Sequence, residues 1–166
     1  EVCLFGAYFE EDGKLLLPEE LTFDKRVAKK KKQLAEYLTI VNDRVLSDGG
    51  KEYKKTEFLQ ELLNDQERRK EHIDEIIALA KAERFDGVEI DYERIWKDCE
   101  TKDTFLPFIK ELYAATTANN LKLRVVLEPG TPFNDIELPP GPKYVVMLYN
   151  LYGMHSGPGP KADNAF

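Results

Sequence analysis

Several residue types that announce a function are scarce in this chain. Among 166 residues there are two cysteines, two histidines and one tryptophan. Cys3 and Cys99 make no disulfide framework and offer no metal-ligand spacing, so neither an oxidising compartment nor a structural metal follows from them. No run of 18 apolar residues occurs, and no membrane span is expected. Positive charge is not in excess either: 24 Lys+Arg against 31 Asp+Glu leave a net charge of −7. That balance argues against nucleic acid as partner, because phosphate binding needs a basic face. The one dense basic run, Lys29 to Lys32 behind Lys25 and Arg26, sits in a helical pattern and reads as a solvated face. Phosphate-cradling glycine motifs are missing from every strand end, which lowers a nucleotide-binding reading. Internal repeats and low-complexity tracts are absent too. The chain opens on Glu1 with no initiator Met and no charged-then-apolar leader, which suggests a mature or trimmed product.

What is present is enough apolar material for a core. Hydrophobic residues make up 42% of the chain, and the charge is too mild for a disordered acidic tail. The pattern alternates strands and helices. Val2 to Phe9 reads as a strand closed by Glu11-Asp12-Gly13, and Asp24 can cap a helix carrying Val27, Ala28, Leu34 and Ala35. Tyr37 to Val41 is a second strand, followed by a loop through Asp48-Gly49-Gly50. Ile73, Ile76, Ile77 and Ala80 repeat at helical spacing, with Asn64 or Asp65 as cap and an end near Arg84. Asp86 to Tyr92 is a third strand. A helix opened by Asp103 or Thr104 carries Phe105, Ile109 and Leu112 and closes at Asn119-Asn120. Leu121 to Leu127 and Tyr144 to Tyr149 are the fourth and fifth strands, and Ser156 to Pro160 is loop. Such alternation implies parallel strands joined by crossover helices, an α/β protein built as a barrel or an open sheet.

The most informative stretch is Asp86-Gly87-Val88-Glu89-Ile90-Asp91-Tyr92-Glu93. Side chains alternate along a strand, so Glu89, Asp91 and Glu93 share one face while Val88, Ile90 and Tyr92 share the other. Acids spaced roughly 6 to 7 Å apart penalise full ionisation, so one carboxyl should hold a proton near neutrality. A protonated carboxyl beside an ionised one suits general-acid chemistry. On the pattern alone, a solvated face, a hard-metal site and an acid catalyst carry equal weight.

The same stretch resembles the Asp-Gly-x-Asp-x-Asp-x-Glu signature of glycoside hydrolase family 18, the chitinase and endo-N-acetylglucosaminidase family, with Glu89 where the family has Asp. A second stretch, Met147-Leu148-Tyr149-Asn150, resembles the family's sixth-strand Met-x-Tyr-Asp motif, with Asn150 for Asp. The two lie in the expected order with one βα unit between them. Ser47-Asp48-Gly49-Gly50 is similar to a third-strand motif but falls after the strand, so chance loop chemistry explains it better. The stretch from Phe58 to Glu93 is similar to the subgroup with spore-lytic and other peptidoglycan-directed members.

The resemblance implies an α/β fold of the (β/α)8 TIM-barrel type, one catalytic domain over residues 1–166, and hydrolysis of β-linked N-acetylglucosamine glycans by a retaining, substrate-assisted route. Chitin, peptidoglycan and N-glycan core are the substrates it leaves open. Glu93 is then the general acid and base, Asp91 orients the acetamido group, and Tyr149 hydrogen-bonds its oxygen. Substrate contacts fall to Glu89, Met147 and Asn150, with Trp96 and Tyr8 as aromatic candidates; a lone Trp is more often packing, and core filling is at least as good an account of Tyr8. Arg124, on the neighbouring strand at similar depth, is the expected partner of Glu89. No metal or cofactor is expected. A secreted or cell-envelope setting follows from the resemblance alone, and the alternative is a non-catalytic carbohydrate-binding relative. His72 reads as structural, and His155 has no evident partner.

A full barrel needs about 250 residues, sometimes about 200. Five strands can be drawn here, and the motif order makes them strands two to six. The expectation is therefore an incomplete barrel, a fragment whose exposed sheet edges favour self-association and weak catalysis.

Overall fold

Period-two alternation and amphipathic helices build the sheet that positions the acids. The structure is a computed structural model and describes residues 1–21, 34–97, 99–149, 152 and 156–160. In chain order the elements are β1 (Val2–Glu10), β2 (Leu15–Leu16), β3 (Glu36–Val45), β4 (Lys51–Glu52), α1 (Glu57–Asn64), α2 (Gln66–Ala82), β5 (Gly87–Asp91), α3 (Cys99–Ala118), β6 (Lys122–Leu127) and β7 (Lys143–Val146). Strands β1, β3, β5, β6 and β7 lie side by side in that order, each parallel to the next. β2 and β4 add short antiparallel pairings to β1 and β3. Among the described residues the sheet is open, an incomplete (β/α) barrel.

One face of the sheet is apolar and lies under the helices. Leu38, Ile40, Val88, Ile90, Leu123 and Val125 are almost fully buried there with Leu59, Ile76, Phe108 and Leu112. Each such side chain contributes about 1.5–3 kcal/mol relative to leaving it in water. The opposite face carries Thr39, Glu89 and Arg124, which stand in register on β3, β5 and β6. Gly87 belongs to this second face. A Cβ there would lie 2.7 Å from the Tyr37 ring and 2.5 Å from the Lys122 carbonyl oxygen, so the Asp-Gly pair makes room for Tyr37. Asp86 Oδ2 accepts the Glu36 N–H at 2.8 Å and ties the start of β5 to that of β3.

Helix ends follow local chemistry. Asp65 caps α2 by accepting the Arg68 N–H at 2.9 Å. Arg84 and Asn120 end their helices in the left-handed region, at φ 54° and 57°.

Four differences from the sequence reading stand out. The reading draws no element between Gly50 and Asn64, yet α1 forms there and buries Phe58, Leu59, Leu62 and Leu63. α3 starts at Cys99, a turn before Asp103, and runs through Pro107. Asp103 and Thr104, which could cap a helix start, lie inside its second turn instead. β3 continues past Val41 because Arg44 and Val45 pair with β4. β7 stops at Val146, so Met147 and Tyr149 lie in the turn beyond it. The expected helix from Asp24 falls mainly on 22–33, outside the described residues.

Candidate active site

The carboxylate ladder sits at the end of β5, and its three acids have three environments. Glu89 is buried at 6% exposure, which sets aside the solvated-face reading for that residue. It accepts hydrogen bonds from Arg124 Nε at 2.6 Å, Thr39 Oγ1 at 2.8 Å and Cys3 Sγ at 3.3 Å. The expected Arg124–Glu89 pair therefore forms, and Arg124 Nη1 also reaches Glu1 Oε2 at 2.8 Å. Burial and the neighbouring carboxylate push the Cys3 thiol up to about 11.

Asp91 is half-buried, and its Oδ1 has no hydrogen-bond partner among the described residues. Burial first, then the charges of Glu93 and Glu89, push its pKa from 3.8 up to about 7, against the opposing charge of Lys54. The carboxyl expected to hold a proton near neutrality is thus the middle one.

A raised folded-state pKa favours the folded protein fully below the unfolded value and loses that contribution as pH rises through the folded one. The part of stability carried by Asp91 should fall between about pH 4 and about pH 7 and level off above. Buried His72, whose pKa burial lowers, works in the opposite sense. The readout is therefore the difference between wild type and Asp91→Asn in urea-unfolding series across this range. The gap should change with pH for this pair, and a constant gap would contradict the assignment.

Glu93 lies two residues past the end of β5. Its carboxylate meets Lys54 Nζ at 2.5 Å. The Glu93 N–H donates to Asn42 Oδ1 at 2.9 Å, and the next N–H, that of Arg94, donates to Glu128 Oε2 at 2.6 Å. Lys54, Asn42 and Glu128 come from other segments of the chain, and the sequence assigns none of them to the site. Asn42 closes the β-rich run at Val41, which was its only visible signal.

The expected binding residues have mixed placements. Met147 is buried, and the Tyr149 hydroxyl reaches its sulfur at 3.1 Å. Tyr149 is 52% exposed. Burial and the charges of Asp91 and Glu93 raise its pKa, which sets the phenol within electrostatic reach of both acids. Trp96 instead packs edge-on against Phe105 at 5.8 Å, at the rim of the apolar core, because its 3-10 turn follows the Glu93 loop back under α3. This is the packing role that a lone Trp commonly takes. Tyr8 is half-buried opposite Leu16 in the β1–β2 pairing. Asn150 and His155 lie outside the described residues. His72 is buried on α2 with Nε2 2.8 Å from the Tyr92 hydroxyl, behind the ladder. Among the described residues, no group of three or more His, Cys, Asp or Glu side chains could hold a metal ion.

A family model described as Glycosyl hydrolases family 18 matches residues 2–163. The chain belongs to glycoside hydrolase family 18. No curated protein sequence matches it. Solved structures similar to this family 18 chain include a chitinase from Chromobacterium violaceum, at 17% identity and TM-score 0.72, over 96% of this chain and 51% of that one. A chitinase from Bacteroides thetaiotaomicron matches at 20% identity and TM-score 0.68, over 98% and 50%. The Bacillus cereus spore cortex-lytic enzyme SleL matches at 17% and 0.71, over 95% and 36%. The chain thus spans half, or about a third, of the length of these relatives, and at such identities the likeness concerns the fold.

Proposed function

We propose that this family 18 chain carries the acid half of a retaining glycosidase site for β-linked N-acetylglucosamine glycans. The observation that supports it most is Asp91: a half-buried carboxyl beside Glu93, pushed up to about 7, with an oxygen that has no partner among the described residues. In substrate-assisted hydrolysis the acetamido oxygen attacks the anomeric carbon as the glycosidic bond breaks; the proton held by Asp91 passes to Glu93, which delivers it to the leaving oxygen and leaves Asp91 ionised. Asp91 Oδ1 would receive the acetamido N–H and stabilise the charge on the cyclised intermediate. Water then opens that intermediate, with Glu93 taking back the proton. Tyr149 is the donor to the acetamido oxygen. The names of the similar proteins, two chitinases and a spore cortex-lytic enzyme, support glycan hydrolysis; chitin, peptidoglycan and N-glycan core are the candidate substrates, in a secreted or cell-envelope setting.

Self-association of this chain through its exposed sheet edges belongs to the same reading. The test is to offer the chain chitin oligosaccharides, peptidoglycan glycan strands and N-glycan core conjugates and to assay new reducing ends. Release from at least one is expected. Binding of N-acetylglucosamine oligomers without release would favour the carbohydrate-binding alternative.

A further inference from the structure

The acid stands where regular structure has already ended, and something must hold it there. The β3–β5 ladder closes at Val41 and Asp91, so no strand pairing reaches Glu93. The side chain of Asn42 takes over at that point. Its Oδ1 accepts the Glu93 N–H at 2.9 Å and its Nδ2 donates to the Glu93 carbonyl at 3.0 Å, as a paired strand would. The same Nδ2 donates to the Lys55 carbonyl at 3.3 Å. Asn42 is 1% exposed, so both polar atoms are committed to these partners.

Two further contacts stiffen the arrangement. Lys54, whose ammonium meets the Glu93 carboxylate, is held at φ 54° with its N–H on Asp43 Oδ1 at 3.0 Å. On the other side Arg94 sits at φ 67°, and its N–H is captured by Glu128 Oε2 at 2.6 Å, from the residue after β6. Left-handed backbone at a non-glycine residue persists only where neighbours over-determine it. Here the neighbours are Asn42 and Glu128, one from each flanking strand.

We propose that Asn42 and Glu128 are positioning residues that clamp the backbone at 93–94 and so aim the Glu93 carboxyl. The amide of Asn42 suits this task better than a carboxylate would. It both accepts and donates, and it adds no charge beside Glu89, Asp91 and Glu93. The catalytic consequence rests on the glycosidase reading above; the clamp itself does not.

Amide hydrogen exchange on the full chain tests the clamp directly. Asn42→Ala should lower protection of the Glu93 amide by about tenfold, while the amides of β5 keep theirs. Asn42→Asp, which keeps the acceptor but loses the donor and adds a charge, should restore only part of the Glu93 protection. Glu128→Ala should release the Arg94 amide, and Glu128→Gln should hold it. Unchanged Glu93 protection in Asn42→Ala would overturn the clamp, and so would a loss spread evenly over β5. In the kinetic arm, Asn42→Ala should lower kcat by about tenfold or more with KM within about twofold, the mark of a misaimed group. A wild-type kcat beside a freed Glu93 amide would overturn the positioning role. If the wild-type chain hydrolyses no glycan offered, the glycosidase reading fails, and the exchange data still decide the clamp.

Discussion

Glu93→Gln should lower turnover on any glycan the chain hydrolyses by about 10²- to 10⁴-fold, the range typical of a lost general acid or base. The substitution keeps the size and the hydrogen-bonding reach of the side chain, so affinity for N-acetylglucosamine oligomers should stay within a few fold. It removes the proton donated to the leaving oxygen and the base that activates water afterwards. It also replaces the anionic partner of Lys54 with a neutral amide. The fold should survive, because the backbone contacts of residue 93 are made to Asn42 and do not involve its side chain. Initial rates of reducing-end release beside oligomer binding by calorimetry separate the two effects. Wild-type turnover in the variant would remove Glu93 from the mechanism and the glycosidase assignment with it.

Arg124→Met should be the most destabilising change at the site, by about 3 kcal/mol. The side chains of Glu89 and Arg124 are 8% and 15% exposed, and methionine would fill much of the space while leaving the Glu89 carboxylate without its cation. Removing one member of a buried pair commonly costs about 3–5 kcal/mol. The lower end applies here because the Thr39 hydroxyl and the Cys3 thiol still donate to Glu89. Arg124→Lys should fall in between, since an ammonium cannot span Glu89 and Glu1 as the guanidinium fork does. Adding Glu89→Gln to Arg124→Met should recover part of the loss, because the charge left stranded is then gone. Urea midpoints with their slopes measure all of these. A change below about 0.5 kcal/mol in Arg124→Met, the usual size for an unimportant surface position, would show that the pair is not needed.

The ladder was legible because its information is local. Strand alternation puts Glu89 and Asp91 on one face whatever surrounds them, with Glu93 following just past the strand end, and the apolar partners Val88 and Ile90 select the strand. The pairing of Arg124 with Glu89 was legible for a related reason: neighbouring parallel strands place residues of equal depth side by side. Lys54, Asn42 and Glu128 could not be read this way. Lys54 and Glu128 meet Glu93 and Arg94 from loops, Asn42 meets Glu93 from β3 beyond its last pair with β5, and no periodicity reports how a loop folds back. Trp96 shows the opposite limit. Proximity to Glu93 in sequence leaves a sugar platform and packing both open, and only the fold shows a 3-10 turn carrying the ring to Phe105. α1 was legible in principle: Phe58, Leu59, Leu62 and Leu63 repeat at helical spacing, though over only eight positions.

The row formed by Thr39, Glu89 and Arg124 has a consequence for how the chain finds its fold. The three residues belong to strands separated by long crossovers, and no local contact aligns them. Shifting β5 by one residue against its neighbours would turn Glu89 into the helix layer and bring Val88 or Ile90 to the polar side. A shift by two would keep the faces but strand Arg124 and Glu89 at different heights, each without its partner. Only one alignment of β3, β5 and β6 satisfies the carboxylate, the hydroxyl and the guanidinium together. The belt therefore acts as a key that rejects misthreaded sheets, and the same alignment delivers Asp91 and Glu93 to their places.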